Sequence, residues 1–397
     1  MVSELSYADT QKIKLIISEF DVIDGEVKKV TLFRGGRINK TYKVTIKGEE
    51  AEKAYLLQEI NTNVFKDPHK LMSNVVEVAT FINDLNDLDW YGTDKPAQSS
   101  IRFIKNKKTQ TFLYVTDERF RTADVSWIIR NANVGRYYRC YEFIEADVYD
   151  CINSPEDMKK LGNAVAEFAN VLADYPANVL FETIPDFHNT QKRFENFLIS
   201  VYKCSIRDYG RVYEVKDLIN KIIERKNIYS VIVNGLKTGD IPTRVTHNDP
   251  KLNNVLFDKE TGKVKCLIDL DTVMPGSILY DVGDAIRYGA NTASEEETDI
   301  DKVDFDVELC NNFMEGFIDV MGDKLTDTEK ENLYLAPQIM TWELAIRFLT
   351  DYLDGNVYFG VSYDKQNLDR AKVQIKLAEA MEEKKMEVII FLEEKLK

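Results

Sequence analysis

Residues 245–273 read VTHNDPKLNNVLFDKETGKVKCLIDLDTV, the most informative stretch of the chain. It contains His247, Asp249 and Asn254 in the spacing HxDxxxxN, and Asp269 follows twenty residues after Asp249. Two short apolar runs flank the polar turn KETGK, which is typical of a β-hairpin. The segment therefore presents an acid, an amide and a second acid around a predicted hairpin.

This set of side chains is what phosphoryl transfer requires. One carboxylate positions and deprotonates the attacking hydroxyl, while an amide and a further carboxylate hold Mg²⁺ against the nucleotide phosphates. Asp249 is the expected base, and Asn254 and Asp269 are the expected metal ligands, because Mg²⁺ prefers oxygen ligands. Taken singly, each is also explained as a turn residue or helix cap. The joint spacing favours a phosphotransferase, and His247 is expected to orient the loop.

Asp271 lies two residues after Asp269 and is expected to share its face of a strand. That position leaves three roles open for Asp271: an alternative metal ligand, a substrate contact or a cap.

Apolar periodicity predicts an α+β chain with two lobes around a cleft. Residues 1–143 form a β-rich lobe, with helices at 5–20 and 69–86 and strands at 27–33, 42–46, 54–60, 101–106, 111–116 and 136–144. Residues 144–397 form a larger helical lobe that contains the hairpin, with a helix that begins at Ser154-Pro155 and others at 190–230, 306–321, 328–353 and 366–395.

Composition excludes several classes of partner. The 397 residues include 52 Lys plus Arg and 67 Asp plus Glu, so the net charge is 52 − 67 = −15. This acidity argues against nucleic acid and against anionic membrane surfaces as the main partners. Five widely spaced cysteines indicate neither a disulfide framework nor a zinc site. With no leader pattern and no apolar run long enough to span a bilayer, we expect a cytoplasmic protein.

The motifs resemble the aminoglycoside phosphotransferase and choline kinase superfamily, whose fold is related to that of protein kinases. Within it, the chain resembles most the N-acetylhexosamine 1-kinases, which phosphorylate the anomeric hydroxyl of a sugar. The resembling stretches are GRINKTY (36–42), YLLQEINTNVFKDP (55–68), HNDPKLNNVLFD (247–258), IDLDTVMPGSILYDVGDAIRYGAN (268–291), RFLTDYLDGNVYF (347–359) and NLDRAKVQIKL (367–377). The resemblance implies a two-lobed protein-kinase-like fold, ATP with Mg²⁺, and a sugar 1-phosphate product. Residues 1–143 then bind the nucleotide, and 144–397 carry catalysis and the substrate.

The turn RGGRINK is the predicted phosphate-binding turn of the first lobe. Gly35 and Gly36 would let backbone amides approach the phosphates, and Arg37 and Asn39 are predicted to join them. A plain hairpin turn is the alternative. In YLLQEI, Gln58 occupies the position where a kinase strand carries a phosphate-binding Lys.

Gln58 supplies no charge, so the charge must come from elsewhere if the lobe binds phosphates. The candidates are Arg34, Arg37, Lys40 and Lys53. The missing Lys also leaves open a non-catalytic kinase-like ATP-binding protein. The resemblance places the inter-lobe hinge at RCYEFIE, where backbone groups from Glu142 to Ile144 would hold adenine. An ordinary buried strand is the alternative.

The predicted acceptor site lies in the C-terminal half. Arg347 and Asp351 are spaced i, i+4, so a structural salt bridge is the simple explanation, whereas the resemblance favours Arg347 and Tyr358 as substrate contacts. Two roles are expected for Asp281, Asp284 and Arg287. They either contact the substrate or brace the catalytic loop.

Residues 187–193 (FHNTQKR) are a further candidate for the wall of the acceptor site. Other acceptors stay open: choline, which needs an aromatic cage, an aminoglycoside, which needs an acidic pocket, methylthioribose, or another sugar.

Overall fold

The computed structural model describes residues 2–3, 5–33, 38–87, 98–115 and 135–397. Within these ranges the chain forms two compact units, Met1–Ala146 and Asp147–Lys397. In the described residues, no helix combines the length and the apolar character that crossing a membrane requires. The chain has the predicted α+β composition, with the sheet in the first unit and most of the helices in the second.

The first unit is built around an antiparallel sheet. Its elements are β1 (Val2–Ser3), α1 (Tyr7–Ile17), β2 (Glu26–Phe33), β3 (Lys40–Lys47), β4 (Glu52–Ile60), α2 (Pro68–Asp87), β5 (Phe103–Ile104), β6 (Phe112–Val115) and β7 (Arg136–Glu142). The strands follow the order β1-β2-β3-β4-β7-β5, and β6 also pairs with β7. All the long strands begin and end within a few residues of their predicted limits, and β5 is shorter than predicted.

Alternation along the strands separates the two faces of this sheet. Tyr42, Val44 and Ile46 of β3 are buried in one apolar core together with Ile13 and Ile16 of α1. The residues between them point to the opposite face. The pairing register sets Thr41 beside Gln58 and Gln58 beside Arg139 on that opposite face.

The second unit is mainly helical and holds two small two-stranded sheets. Its helices are α3 (Pro155–Val171), α4 (Thr190–Arg207), α5 (Tyr209–Glu214), α6 (Lys216–Glu224), α7 (Val231–Thr238), α8 (Ile278–Gly289), α9 (Val307–Met321), α10 (Asp327–Glu331), α11 (Ala336–Asp354), α12 (Gln366–Glu383) and α13 (Lys385–Lys395). Its strands are β8 (Arg244–Thr246), β9 (Val255–Phe257), β10 (Val264–Leu267) and β11 (Met274–Gly276). β9 pairs with β10, and β8 pairs with β11.

Several predicted long helices are interrupted, for identifiable reasons. Ser154 caps α3 and Pro155 begins it, as predicted. The helical pattern over 190–230 is divided among α4, α5 and α6, since Asp208 is non-helical and its carboxylate caps α5. The helix predicted over 328–353 is also two helices, since Pro337 lacks an amide hydrogen and sits in the first turn of α11. The C-terminal stretch divides at Lys384.

Helices α3 and α9 cross at very short range. A Cβ atom on Gly162 would lie 2.1 Å from the carbonyl oxygen of Phe313, and one on Gly316 would lie 2.2 Å from that of Lys159. Only glycine permits this approach of the two backbones. The α3 side chain Phe168 in turn contacts the ring of His247, with centroids 5.6 Å apart.

Candidate active site

The loop that carries the predicted base follows β8 directly. Thr246 is the last residue of β8 and pairs with Met274 of β11. The next residue, His247, is fully buried, with Nε2 2.9 Å from the carbonyl oxygen of Ile268. Its Nδ1 accepts a hydrogen bond of 3.3 Å from the amide of Asp249, and burial lowers the pKa of His247. A neutral imidazole thus orients the loop, the role predicted for it.

Asp281, in the first turn of α8, supports the backbone of this loop. Its two carboxylate oxygens accept hydrogen bonds from the amides of His247 (2.8 Å) and Asn248 (2.6 Å). Asn248 has a positive φ of 65°, a conformation that costs energy for a residue with a side chain. Burial raises the pKa of Asp281 to about 7 against these two hydrogen bonds. These contacts favour the bracing role for Asp281 over contact with substrate.

Asp249 faces a cation that the sequence analysis overlooked. Lys251 forms an ion pair with the Asp249 carboxylate. Burial opposes the charge on Lys251, but Asp249 and Asp284 outweigh it and raise the pKa of the lysine. The side-chain amide of Asn254 donates to the carbonyl oxygen of Asp249 at 3.0 Å. A positive charge two residues after the predicted base was the available signal for Lys251.

The β9–β10 hairpin brings the two predicted metal ligands to the same end. Val255 pairs with Leu267, and the amide of Ile268 donates to the carbonyl oxygen of Asn254 at 2.8 Å. Asp269 follows at once, exposed and with a positive φ of 64°. Because Nδ2 of Asn254 is the donor to Asp249, its Oδ1 is the atom that suits a metal.

These two oxygen donors fit Mg²⁺. Within the described ranges, no three His, Cys, Asp or Glu side chains converge as a metal cluster. Mg²⁺ does not need one, because it is commonly held by one or two carboxylates together with phosphate oxygens and water. Asn254 and Asp269 would hold the ion in that manner.

The strand geometry expected for Asp271 is wrong. β10 ends at Leu267, and Asp269 adopts a left-handed conformation before a 3₁₀ turn over Leu270–Thr272. The two aspartates therefore do not share a strand face. Asp269 is exposed, whereas Asp271 is only 3% exposed.

Arg287 belongs to a buried charge network. Its guanidinium lies 2.8 Å from Asp284 and 2.6 Å from Glu295. Burial opposes the charge on Arg287, but these two acids raise its pKa. Burial likewise opposes ionisation of Asp284, which Arg287 and Lys251 promote, so its pKa is lowered. Alternating charges thus extend from Asp249 through Lys251 to Arg287, and they favour bracing over substrate contact for Arg287.

The salt bridge considered for Arg347 and Asp351 is replaced by a different arrangement. Asp351 accepts hydrogen bonds from three consecutive backbone amides of the loop 355–360, those of Val357, Tyr358 and Phe359, at 2.8, 2.8 and 2.9 Å. The side-chain amide of Asn367 donates to the same carboxylate at 2.8 Å. This bond links the RFLTDYL block to the NLDRA block.

Arg347 instead lies among aromatic rings. Its guanidinium carbon is 5.6 Å from the ring centre of Phe187 and 5.5 Å from that of Phe359. Tyr358 is 68% exposed and meets Phe359 edge to face at 4.8 Å. The structure therefore brings Arg347, the loop 355–360 and part of the predicted acceptor wall together.

In the N-terminal unit, the predicted nucleotide residues are only partly described. Gly35, Gly36 and Arg37 lie outside the described residues. Asn39 is buried, and its side-chain oxygen accepts a hydrogen bond of 2.9 Å from the amide of Asn61. This contact ties the start of β3 to the end of β4.

Gln58 is held by a buried arginine. Arg139 donates two hydrogen bonds to its side-chain oxygen, at 2.9 and 2.6 Å, and Gln58 donates to Thr41 at 2.8 Å. Arg139 is only 3% exposed. Arg139 was not among the four cations predicted from the sequence, because its proximity to Gln58 arises from the β4–β7 register.

The predicted adenine-binding backbone is partly engaged. The amide of Glu142 donates to the carbonyl oxygen of Arg102 at 3.0 Å, and that of Phe143 donates to Ala54 at 3.1 Å. Among the amides of 142–144, that of Ile144 alone has no hydrogen bond within the part of the chain that the structure describes.

Comparisons with known proteins agree with this arrangement. Residues 113–304 match the family model of the APH phosphotransferase enzyme family. An uncharacterized kinase-like protein of Caenorhabditis elegans is 32% identical over 111 residues, which is 26% of this chain. The match spans about a quarter, 26%, of the length of that curated relative.

Two solved structures have a similar fold. A spectinomycin phosphotransferase in complex with ADP and spectinomycin has a TM-score of 0.55 at 13% identity, covering 94% of this chain and 98% of that one. A choline kinase from Cryptosporidium parvum has a TM-score of 0.53 at 15% identity, covering 96% and 97%. The chain thus has the kinase-like aminoglycoside phosphotransferase fold.

Proposed function

We propose that the protein transfers the γ-phosphoryl group of ATP to the anomeric hydroxyl of an N-acetylhexosamine, which yields a sugar 1-phosphate and ADP. The observation that carries the phosphotransferase part is the arrangement of Asp249, Asn254 and Asp269 around one hairpin. It unites a base with two oxygen donors suited to Mg²⁺.

Asp249 acts as the base in this proposal. Its carboxylate accepts the proton of the sugar hydroxyl as that oxygen bonds to the γ-phosphorus and the bond to the β-phosphate oxygen breaks. The ion pair with Lys251 holds this carboxylate in position. Mg²⁺ bound to Asn254 and Asp269 would offset the charge that develops on the phosphate oxygens.

The acceptor part of the proposal rests on the C-terminal motifs. The resemblance assigns Arg347 and Tyr358 to the sugar, and Asp351 holds the loop that carries Tyr358. Arg193 and Arg347 are neighbouring cations in this region. Burial and the charge of Arg347 lower the pKa of Arg193. Two guanidinium groups supply several hydrogen-bond donors, which suit the hydroxyl oxygens of a sugar. A neutral sugar suits them better than choline or an aminoglycoside.

An acceptor panel with ³¹P detection tests the proposal. The panel contains N-acetylglucosamine, N-acetylgalactosamine, glucose, methylthioribose, choline and an aminoglycoside. We expect an anomeric phosphate with the N-acetylhexosamines. Asp249→Asn should lower kcat by about 10²–10⁴-fold, the usual contribution of a general base. Asp258→Asn, in the exposed turn of the same hairpin, is the matched control and should retain wild-type turnover.

A different experimental result would overturn each part of the proposal. Full turnover in the Asp249→Asn variant would remove Asp249 from the chemistry. Phosphate on choline or an aminoglycoside would overturn the sugar assignment alone. ATP binding without transfer to any acceptor would favour the non-catalytic ATP-binding protein.

A further inference from the structure

A cavity of about 200 Å³ opens in the C-terminal unit beside the loop of Asp249. Asn248, the residue before the predicted base, lines one side. Phe187, His188 and Tyr280 also line the cavity, and Val233 and Leu236 of α7 contribute apolar surface. An apolar cavity of about 150 Å³ accepts benzene, so this cavity has room for a substituted six-membered ring.

His188 supplies the cavity wall with an unusual polar group. The residue is 8% exposed, and its Nδ1 lies 2.9 Å from a carboxylate oxygen of Glu343. The other ring nitrogen, Nε2, is buried and has no hydrogen-bond partner in the described ranges. Buried polar atoms are rarely left in this condition. The ring is confined by Phe187 at 4.4 Å and Tyr280 at 5.1 Å between centroids.

Glu343 determines which ring nitrogen of His188 is available to a ligand. Burial opposes ionisation of Glu343, but the charge and hydrogen bond of His188, with Arg347 and Thr190, lower its pKa overall. Its second oxygen accepts a hydrogen bond of 2.6 Å from the Thr190 hydroxyl. The carboxylate therefore holds a proton on Nδ1, and Nε2 is left for a ligand.

A hydroxyl group is the natural partner for this nitrogen. It can donate to Nε2 of a neutral imidazole and can accept from Nε2 of a charged one. The apolar side chains of Val233 and Leu236, which also line the cavity, suit the carbon faces of a sugar ring. The cavity thus combines ring-sized space, a hydroxyl-binding nitrogen and contact with the loop of the predicted base.

We propose that this cavity binds the non-reacting side of a pyranose acceptor, with Nε2 of His188 hydrogen-bonded to one of its hydroxyls. The proposal rests on the proposed function, because it concerns the acceptor of the same reaction. It adds a binding residue that the sequence analysis placed only in a general wall region.

The test compares His188→Phe with the control variant Asp258→Asn. The phenylalanine keeps the aromatic packing and removes Nε2, and the asparagine changes an exposed turn outside the cavity lining. We expect His188→Phe to raise the Kd for N-acetylglucosamine, measured without nucleotide by ligand-observed NMR, by about tenfold, the upper range for one neutral hydrogen bond. Asp258→Asn should bind the sugar as the wild type does, and both should keep the wild-type Kd for ATP.

A second variant covers the case in which His188→Phe does not fold. Leu236→Trp fills the cavity from a partly buried position and should abolish detectable binding of N-acetylglucosamine and glucose. Wild-type sugar affinity in a folded His188→Phe or Leu236→Trp variant overturns the cavity proposal, even if ³¹P detection shows transfer to sugars. The wild type could bind sugar but transfer phosphate to no acceptor, while Leu236→Trp binds no sugar. That result supports the cavity proposal and overturns the proposed function.

Discussion

Asp281 and Asp351 both organise a loop by accepting hydrogen bonds from consecutive backbone amides. Asp281 accepts two, from residues that are 0% and 5% exposed. Asp351 accepts three, but Val357 and Tyr358 are 78% and 68% exposed. An amide that loses its protein partner costs little where water can replace it and much where water cannot. Access to water, more than the number of hydrogen bonds, therefore sets the importance of each aspartate.

The largest expected effect is that of Asp281→Asn. An asparagine retains one acceptor oxygen and presents an NH₂ group to one of the two amides. We expect a loss of about 1–3 kcal/mol in the free energy of unfolding, the cost of an unsatisfied buried donor. Turnover should fall by about 100-fold, because small displacements of a catalytic loop have effects of that size. Urea unfolding and steady-state kinetics measure the two losses.

Asp351→Asn makes the same substitution at the exposed loop and should have a smaller effect. The residues that donate these amides are more exposed than those at Asp281, although Asp351 itself is 4% exposed, so we expect a smaller loss in unfolding free energy than for Asp281→Asn. The loop carrying Tyr358 should become less ordered, which raises the KM for the acceptor a few-fold while the KM for ATP and kcat stay near wild type. Equal loss of kcat in the Asp351→Asn and Asp281→Asn variants would contradict the comparison.

A pH dependence contributed by Asp281 is expected from the same buried carboxylate. Burial raises its pKa to about 7 in the folded protein, above the ordinary value of about 3.9 in an unfolded chain. The folded state then binds more protons between these values, so the contribution of Asp281 to stability is fully present below about pH 4 and is lost as the pH rises to about 7. Asp281→Asn should remove this part of the pH profile, measured as the difference in urea midpoints between the two proteins.

The hairpin and its polar residues could be predicted from the local sequence pattern. Apolar runs around KETGK determine the β9–β10 pairing, so Asn254 and Asp269 come together as expected. Ser154 and Pro155 likewise defined a helix start from adjacent residues alone. These features depend on neighbours within about twenty residues, the range over which turn and strand signals act.

The remaining contacts join residues that are distant in sequence. Arg139 reaches Gln58 across 81 residues, and Asp281 reaches Asn248 across 33. Such pairs depend on strand register and helix placement, which no short pattern encodes. Helical spacing offered an Arg347–Asp351 salt bridge as one explanation, but loop amides bind that carboxylate instead. Asp271 was misplaced because a left-handed residue ends the strand earlier than its apolar pattern suggests.

The crossing of α3 and α9 has a consequence for mutational tolerance. Gly162 lies far along the chain from the Asp249 loop, yet any side chain there would meet the backbone of Phe313. Helix α3 would have to shift, and it carries Phe168, which packs on His247. In a genetic screen, Gly162 should therefore accept as few substitutions as the polar residues of the loop, although it contributes no chemical group.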